Sequence, residues 1–145
     1  MHRSDRSIDE YLGGLPDERR PEVEVLHGLL SDLFAGDDIV LYEGRFWGGT
    51  DQQIIGYRPI LQSRSDGSQV EWFAVGLAMQ KQYLSLYVSA VEDGQYLSKQ
   101  RGSGLGKVKV GSSSVSFNSL DDIDMDALRA FLTRARDLSP PSGNP

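Results

Sequence analysis

Two apolar segments joined by a two-residue connection constrain the fold more than any other feature of the sequence. The segments span residues 70–80 and 83–91, and only Lys81 and Gln82 separate them. Aromatic and β-branched residues are typical of strands, and so short a connection favours an antiparallel hairpin. With the turn at Lys81 and Gln82, one face of the hairpin is apolar, and its opposed pairs are Phe73 with Ala90, Val75 with Val88, Leu77 with Leu86, and Met79 with Leu84.

The other face of this hairpin carries small residues beside aromatic rings. In the same register Tyr87 lies opposite Gly76, and Ser85 lies opposite Ala78. Such a face either holds a ligand between its rings or forms a second layer of the core, and the sequence leaves both interpretations open. If a small molecule or a peptide binds there, the expected contact residues are Arg45, Phe46, Trp47, Tyr57, Arg58, Trp72, Tyr83 and Tyr87.

Two further segments have the three- and four-residue spacing of apolar residues that is typical of amphipathic helices. The first begins at Arg20 or Pro21, because proline is tolerated only in the first turn, and ends at Gly36. Asp124 predicts the capped start of the second, which ends near Asp137. Helices on either side of a strand-rich middle predict an α+β fold. We expect a flexible N-terminus at residues 1–7, a single domain at residues 8–137 and a disordered tail at residues 138–145.

Composition excludes several classes of function. The chain has 145 residues and no cysteine, which excludes disulfides and a cysteine nucleophile and favours the cytoplasm. No apolar run approaches the roughly 20 residues of a membrane span. A net charge of −6 opposes nucleic-acid binding. Because His2 and His27 are the only histidines, few residues could serve as the base of a catalytic triad. The sequence therefore predicts a non-enzymatic protein that binds a small molecule or another protein, with no nucleic acid and no membrane as partner.

The segment RGSGLGKVKV, residues 101–110, has some features of a phosphate-binding loop. It departs from the P-loop pattern because Arg101 stands where the first glycine is needed and Val108 follows Lys107 where serine or threonine is needed. Flexible backbone amides with Arg101, Lys107 and Lys109 still favour weak anion binding. The other interpretation is a loop that leads into an edge strand, where lysines discourage pairing with another chain.

Four stretches of the sequence resemble the DUF1801 family, which is also called YdhG-like. They are YLGGLPDERRPEVEVL, IVLYEGRFW, EWFAVGLAMQKQYLSLYV and SVSFNSLDDIDMDALRAFL, and the resemblance covers residues 8 to 137. It implies a curved antiparallel sheet packed against two main helices. Some relatives are described as frataxin-like intracellular iron chaperones, and most have no assigned function.

The resemblance gives an alternative function, which is iron binding by exposed carboxylates. Oxygen ligands suit hard cations, although carboxylates on a helix also serve simply to solvate its surface. This chain has Gln82 and Tyr83 after Lys81, where many relatives carry a histidine, and so lacks one expected ligand. The leading interpretation, a binding or chaperone-like domain, needs no cofactor, and the alternative needs iron. The expected iron ligands are Asp17, Glu18, Glu22 and Glu24.

Overall fold

The computed structural model describes residues 2–45, 51–63 and 65–139. The helices are α1 (Ile8–Gly13), α2 (Arg20–Leu33), α3 (Leu97–Arg101) and α4 (Met125–Leu138). The strands are β1 (His2–Arg3), β2 (Ile39–Arg45), β3 (Asp51–Ser63), β4 (Gln69–Met79), β5 (Leu84–Val88), β6 (Val91–Glu92), β7 (Gln95–Tyr96), β8 (Lys109–Val110) and β9 (Ser114–Phe117).

Seven of the strands form one antiparallel sheet in the order β1-β2-β3-β4-β5-β9-β8. Among the described strands, the remaining two, β6 and β7, pair only with each other. Each neighbour from β2 to β5 is also the next strand along the chain, so local hairpins build the centre of the sheet. The predicted α+β class with an antiparallel sheet is confirmed.

The central hairpin of β4 and β5 has the predicted register. Val75 pairs with Val88, and Leu77 pairs with Leu86. Leu77 and Leu86 are almost completely buried in the main core, which lies between the sheet and the helices. Burying a leucine side chain fully contributes about 1.5–3 kcal/mol, so this face of the hairpin is a large part of what holds the fold together.

Phe73 lies on the opposite face from the one predicted. Ala74 and Val75 both belong to the main core, so the two-residue alternation of β4 is broken beside Phe73. The neighbouring strand is irregular at the same level, because Arg58 has a φ of 59°, in the left-handed region. The pairing register of β3 with β4 is the same on both sides of Arg58, so no extra residue is inserted, and no sequence pattern marks this change of face.

Helices α1, α2 and α4 all contribute to the main core. On α2, Leu26 and Leu30 are fully buried, and on α4 Leu128 and Leu132 are fully buried. Asp124 caps α4 as predicted, since its Oδ1 accepts a hydrogen bond from the Ala127 N–H at 3.0 Å. The helices therefore cover one face of the sheet and leave the other to strand residues alone in the described chain.

The segment expected to be a flexible N-terminus includes a short strand. His2 and Arg3 form β1, which pairs with β2, and the Arg3 guanidinium donates two hydrogen bonds to the Glu71 carboxylate at 2.8 and 3.0 Å. These contacts were not visible locally, because Glu71 lies far along the chain. At the other end α4 extends to Leu138, and residues 140–145 of the expected tail lie outside the described residues. No helix in the described ranges is long and apolar enough to cross a membrane.

Candidate functional site

The sheet face that carries no helix is called the open face here. Its centre is an aromatic cluster of Tyr42, Trp72, Phe73 and Tyr87, packed with Val40, Ile54 and Ala78. Trp72 and Tyr87 belong to this face as predicted. The structure therefore brings together two of the expected ligand-binding residues. The other two rings are Phe73, which the sequence had placed on the opposite face, and Tyr42, which it had not singled out.

The aromatic cluster is tightly packed at its centre. Phe73 is fully buried, and its ring stacks on the Trp72 ring with a centroid distance of 4.3 Å. The Phe73 ring lies over two glycines, Gly56 and Gly76, where a Cβ atom would find no room. Trp72 and Tyr87 are only half-buried. The centre of this face is thus a second layer of the core, and only its rim is accessible.

Polar contacts close two sides of the aromatic cluster. The Tyr42 hydroxyl donates a 2.6 Å hydrogen bond to Glu71, which also binds Arg3. The hydrogen bonds from Arg3 lower the pKa of Glu71 below its usual range, against the effect of burial. On the other side, Gln80 donates hydrogen bonds to the Tyr87 hydroxyl at 3.2 Å and to Gln52 Oε1 at 3.1 Å. These contacts use polar groups that a ligand would otherwise need.

A cleft of about 520 Å³ opens next to the aromatic cluster, where β5, β9 and β8 end the sheet. It is called the lysine cleft here. The side chains that matter to its chemistry are Tyr83, Lys107, Lys109, Ser114, Ser116, Asn118 and Asp122. Tyr83 was predicted from the aromatic pattern and the two lysines from the loop at residues 101–110, so two independent predictions meet in one cavity.

Strand alternation explains the floor of the lysine cleft. Val115 and Phe117 of β9 lie in the main core. Ser114 and Ser116 alternate with them along the strand, so they lie on the opposite face of the sheet, toward the cleft. The Ser116 hydroxyl forms a 3.0 Å hydrogen bond with the hydroxyl of Ser85 on β5. Hydroxyl groups that both donate and accept hydrogen bonds therefore line the floor.

The charges of the lysine cleft are not neutralised internally. Among the described residues, Lys107, Lys109 and Asp122 form no ion pair. Two ammonium groups and one carboxylate give the cleft a local positive charge in a chain whose net charge is −6. Tyr83 has 42% of its surface exposed, so an apolar ring is accessible beside these charges.

Arg19 holds two walls of the lysine cleft together from the start of α2. Its guanidinium donates hydrogen bonds to the Asn118 carbonyl oxygen at 2.6 Å and to the Gln82 carbonyl oxygen at 3.0 Å. Gln82 directly precedes Tyr83, so one side chain joins the turn that carries the ring to the segment that follows β9.

Glu22, an expected iron ligand, completes this arrangement. Its carboxylate accepts hydrogen bonds from Arg19 at 3.0 Å and from the Leu120 N–H at 2.8 Å. Burial alone would raise the pKa of Glu22, but the Leu120 amide and the Arg19 guanidinium together lower it. The ionised carboxylate is therefore part of the support of the cleft.

The other expected iron ligands lie apart from this contact. Asp17 forms an ion pair with Arg20 at 3.1 Å, and Glu18 and Glu24 are exposed. Within the described residues no group of three or more histidine, aspartate or glutamate side chains is placed to hold a metal ion. Iron binding stays a prediction of the family resemblance.

Two residues that were expected to bind a ligand make contacts within the fold on the helix side of the sheet. Tyr57 is fully buried on the helix side, and its hydroxyl lies 2.6 Å from Nδ1 of His27. Arg58 binds Asp37 at 3.1 Å and donates to the Arg136 carbonyl oxygen at 2.9 Å, at the C-terminal end of α4. Alternation along β3 directs Tyr57 to the helices and the left-handed φ redirects Arg58, so neither residue lies in the aromatic cluster.

The remaining expected residues lie at the hairpin of β2 and β3. Arg45 is mostly exposed and lies 3.5 Å from Asp51. Phe46 and Trp47 lie outside the described residues. A second cleft of about 620 Å³ borders this hairpin and is lined by polar side chains, among them His2, Glu43, Gln52, Gln80 and Lys81.

Comparison with known proteins found no match. No protein family matches the chain, and neither does any curated protein or solved structure. The function of this chain therefore has to be inferred from the geometry of the open face.

Sequence reasoning missed five residues of the lysine cleft and its support: Arg19, Ser114, Ser116, Asn118 and Asp122. The alternation in SSVSF, residues 113–117, was a usable signal, because it separates the serines from Val115 and Phe117. The pairing of β9 with β5 had no local signal. Without that pairing, nothing in the sequence places these serines beside Tyr83.

Proposed function

We propose that this chain is a non-enzymatic binding domain that holds a small anionic ligand in the lysine cleft. The observation that supports this most is the convergence of Lys107, Lys109 and the exposed Tyr83 ring on one cavity of about 520 Å³. Cavities that hold small ligands are typically about 300–1,000 Å³ and combine an apolar wall with a few polar groups that fix orientation.

Electrostatics supports an anion as the ligand. The ammonium groups of Lys107 and Lys109 carry charges that no carboxylate within salt-bridge distance balances in the described structure. A lysine ammonium acts as a point charge with three donors, which suits phosphate or carboxylate oxygens. The serine hydroxyls of the floor add neutral donors.

The support of the cleft favours a binding site over a flexible surface loop. Arg19 and Glu22 join the start of α2 to both walls through three hydrogen bonds, and a fourth joins the two side chains to each other. Side chains held in place before a ligand arrives lose less conformational entropy when it binds. The aromatic cluster contributes indirectly, since it forms the packed sheet on which the cleft is built.

The test is a ³¹P NMR titration of inorganic phosphate at low ionic strength. Replacing both cleft lysines, Lys107→Gln with Lys109→Gln, should weaken binding about tenfold or more, because each ammonium contributes a charge-assisted hydrogen bond. The matched control is the double variant of the other two lysines, Lys81→Gln with Lys99→Gln, which has the same net charge. Equal weakening in both double variants would contradict the proposal, since overall charge would then determine binding.

A further inference from the structure

Asp122 restricts which anion the lysine cleft accepts. Asp122 lines the same cavity as Lys107 and Lys109, and its carboxylate has no hydrogen-bond or ion-pair partner among the described residues. A bare anion is attracted by the lysines and repelled by this carboxylate. A ligand that fits both has a negative group at one end and neutral hydrogen-bond donors, such as hydroxyl groups, at the other.

Tyr83 adds a third requirement. Tyr83 is 42% exposed and lines the cavity, as does the half-buried Val108. An exposed aromatic face attracts a flat ring, and every nucleobase has a π face that stacks on such a side chain. Carboxylates recognise ribose hydroxyls in nucleotide sites, which is the chemistry that Asp122 offers.

We propose that the lysine cleft binds a nucleoside 5′-monophosphate. The phosphate lies at Lys107 and Lys109, the ribose hydroxyls donate to Asp122, and the base stacks on Tyr83. This inference rests on the proposed function of the cleft and names its ligand class. The contacts are to the phosphate, the sugar and the face of the base, so they do not select one base over another.

The test compares adenosine 5′-monophosphate with inorganic phosphate by the same ³¹P titration. The unaltered protein should bind the nucleotide about tenfold more tightly than phosphate, because stacking and sugar contacts add to the ionic ones. Tyr83→Ala should weaken nucleotide binding far more than phosphate binding, and so remove most of that difference.

Asp122→Asn gives the sharpest result because the two ligands respond in opposite directions. Loss of the carboxylate should weaken nucleotide binding and strengthen phosphate binding, each by a few fold. The matched control is Asp121→Asn, which removes the same charge from an exposed neighbour that does not line the cleft.

Three outcomes separate this inference from the proposed function. Opposite changes in Asp122→Asn, absent in Asp121→Asn, support the nucleotide. Equal affinity of the unaltered protein for both ligands, or tighter binding of both by Asp122→Asn, overturns the nucleotide and leaves an anion-binding cleft. If neither ligand binds, the proposed function is overturned as well.

Discussion

Gly76 gives a direct test of the packing that supports the open face. A Cβ atom at this position would lie 2.8 Å from Cγ2 of Ile54 and 2.9 Å from Cζ of Phe73. Ordinary contacts of this kind begin near 3.4 Å. Both neighbours are fully buried, so neither can move away easily. Gly76→Ala therefore forces a methyl group into space that is already filled.

The expected cost follows from two opposing effects. Overpacking a buried site costs about 1–3 kcal/mol. Replacing glycine by alanine also stabilises the fold by about 0.4–1 kcal/mol, because the unfolded chain loses freedom. The net expectation for Gly76→Ala is a loss of about 1–2 kcal/mol in the free energy of unfolding, measured by urea denaturation.

Gly28→Ala is the matched control, since nothing lies within 4 Å of the added Cβ and the residue is in the interior of α2. It should stabilise the protein by about 0.5–1 kcal/mol. Phe73→Leu combined with Gly76→Ala should recover part of the loss, with a coupling energy of about 0.5–3 kcal/mol. If Gly76→Ala raises stability as Gly28→Ala does, Phe73 does not cover this glycine and the second core layer is refuted.

Three further variants test other parts of the account. Leu86→Ala removes a fully buried side chain and should lower the free energy of unfolding by about 2–5 kcal/mol, measured by urea denaturation. A loss below about 0.5 kcal/mol would show that the face of the hairpin carrying Leu86 is not the buried one. Burial lowers the pKa of His27 below 6.5, so the unfolded chain binds more protons and the stability of the fold decreases as the pH drops below about 6.5. The melting temperature should therefore be lower at about pH 5.5 than at about pH 7.5, and His27→Gln should remove this difference. An unchanged difference in the variant would contradict this account of His27. Glu22→Gln weakens its contact with Arg19 and should cost about 1 kcal/mol and weaken phosphate binding, whereas unchanged binding would show that this contact does not support the cleft.

The elements that sequence predicted well are those set by neighbours along the chain. The register of β4 and β5 follows from a two-residue connection, and the first residues of α2 and α4 follow from Pro21 and Asp124. In each case the deciding residues lie within a few positions of the element. Local periodicity and capping are sufficient at that range.

The features that sequence did not predict depend on contacts between distant residues. Phe73 changes face where β3 is irregular at Arg58, and no pattern within β4 alone records that. Arg19 reaches Asn118 across 99 positions to hold the lysine cleft. Tyr83, Lys107 and Lys109 were recognised singly, but their assembly into a cleft with the serines of β9 needed the pairing of β5 with β9. Non-local pairing of this kind decides which side chains meet, and it leaves little trace in either segment.

The central claim is that a ligand binds on the open face in the lysine cleft. Its most direct test is a map of backbone amide shifts in ¹⁵N-labelled protein during titration with adenosine 5′-monophosphate. The account predicts saturable shifts concentrated at Tyr83 and residues 107–118, lost in the variant that lacks Lys107 and Lys109. Shifts centred on the second cleft beside Glu43, or no saturable shift with this nucleotide or with phosphate, would contradict it.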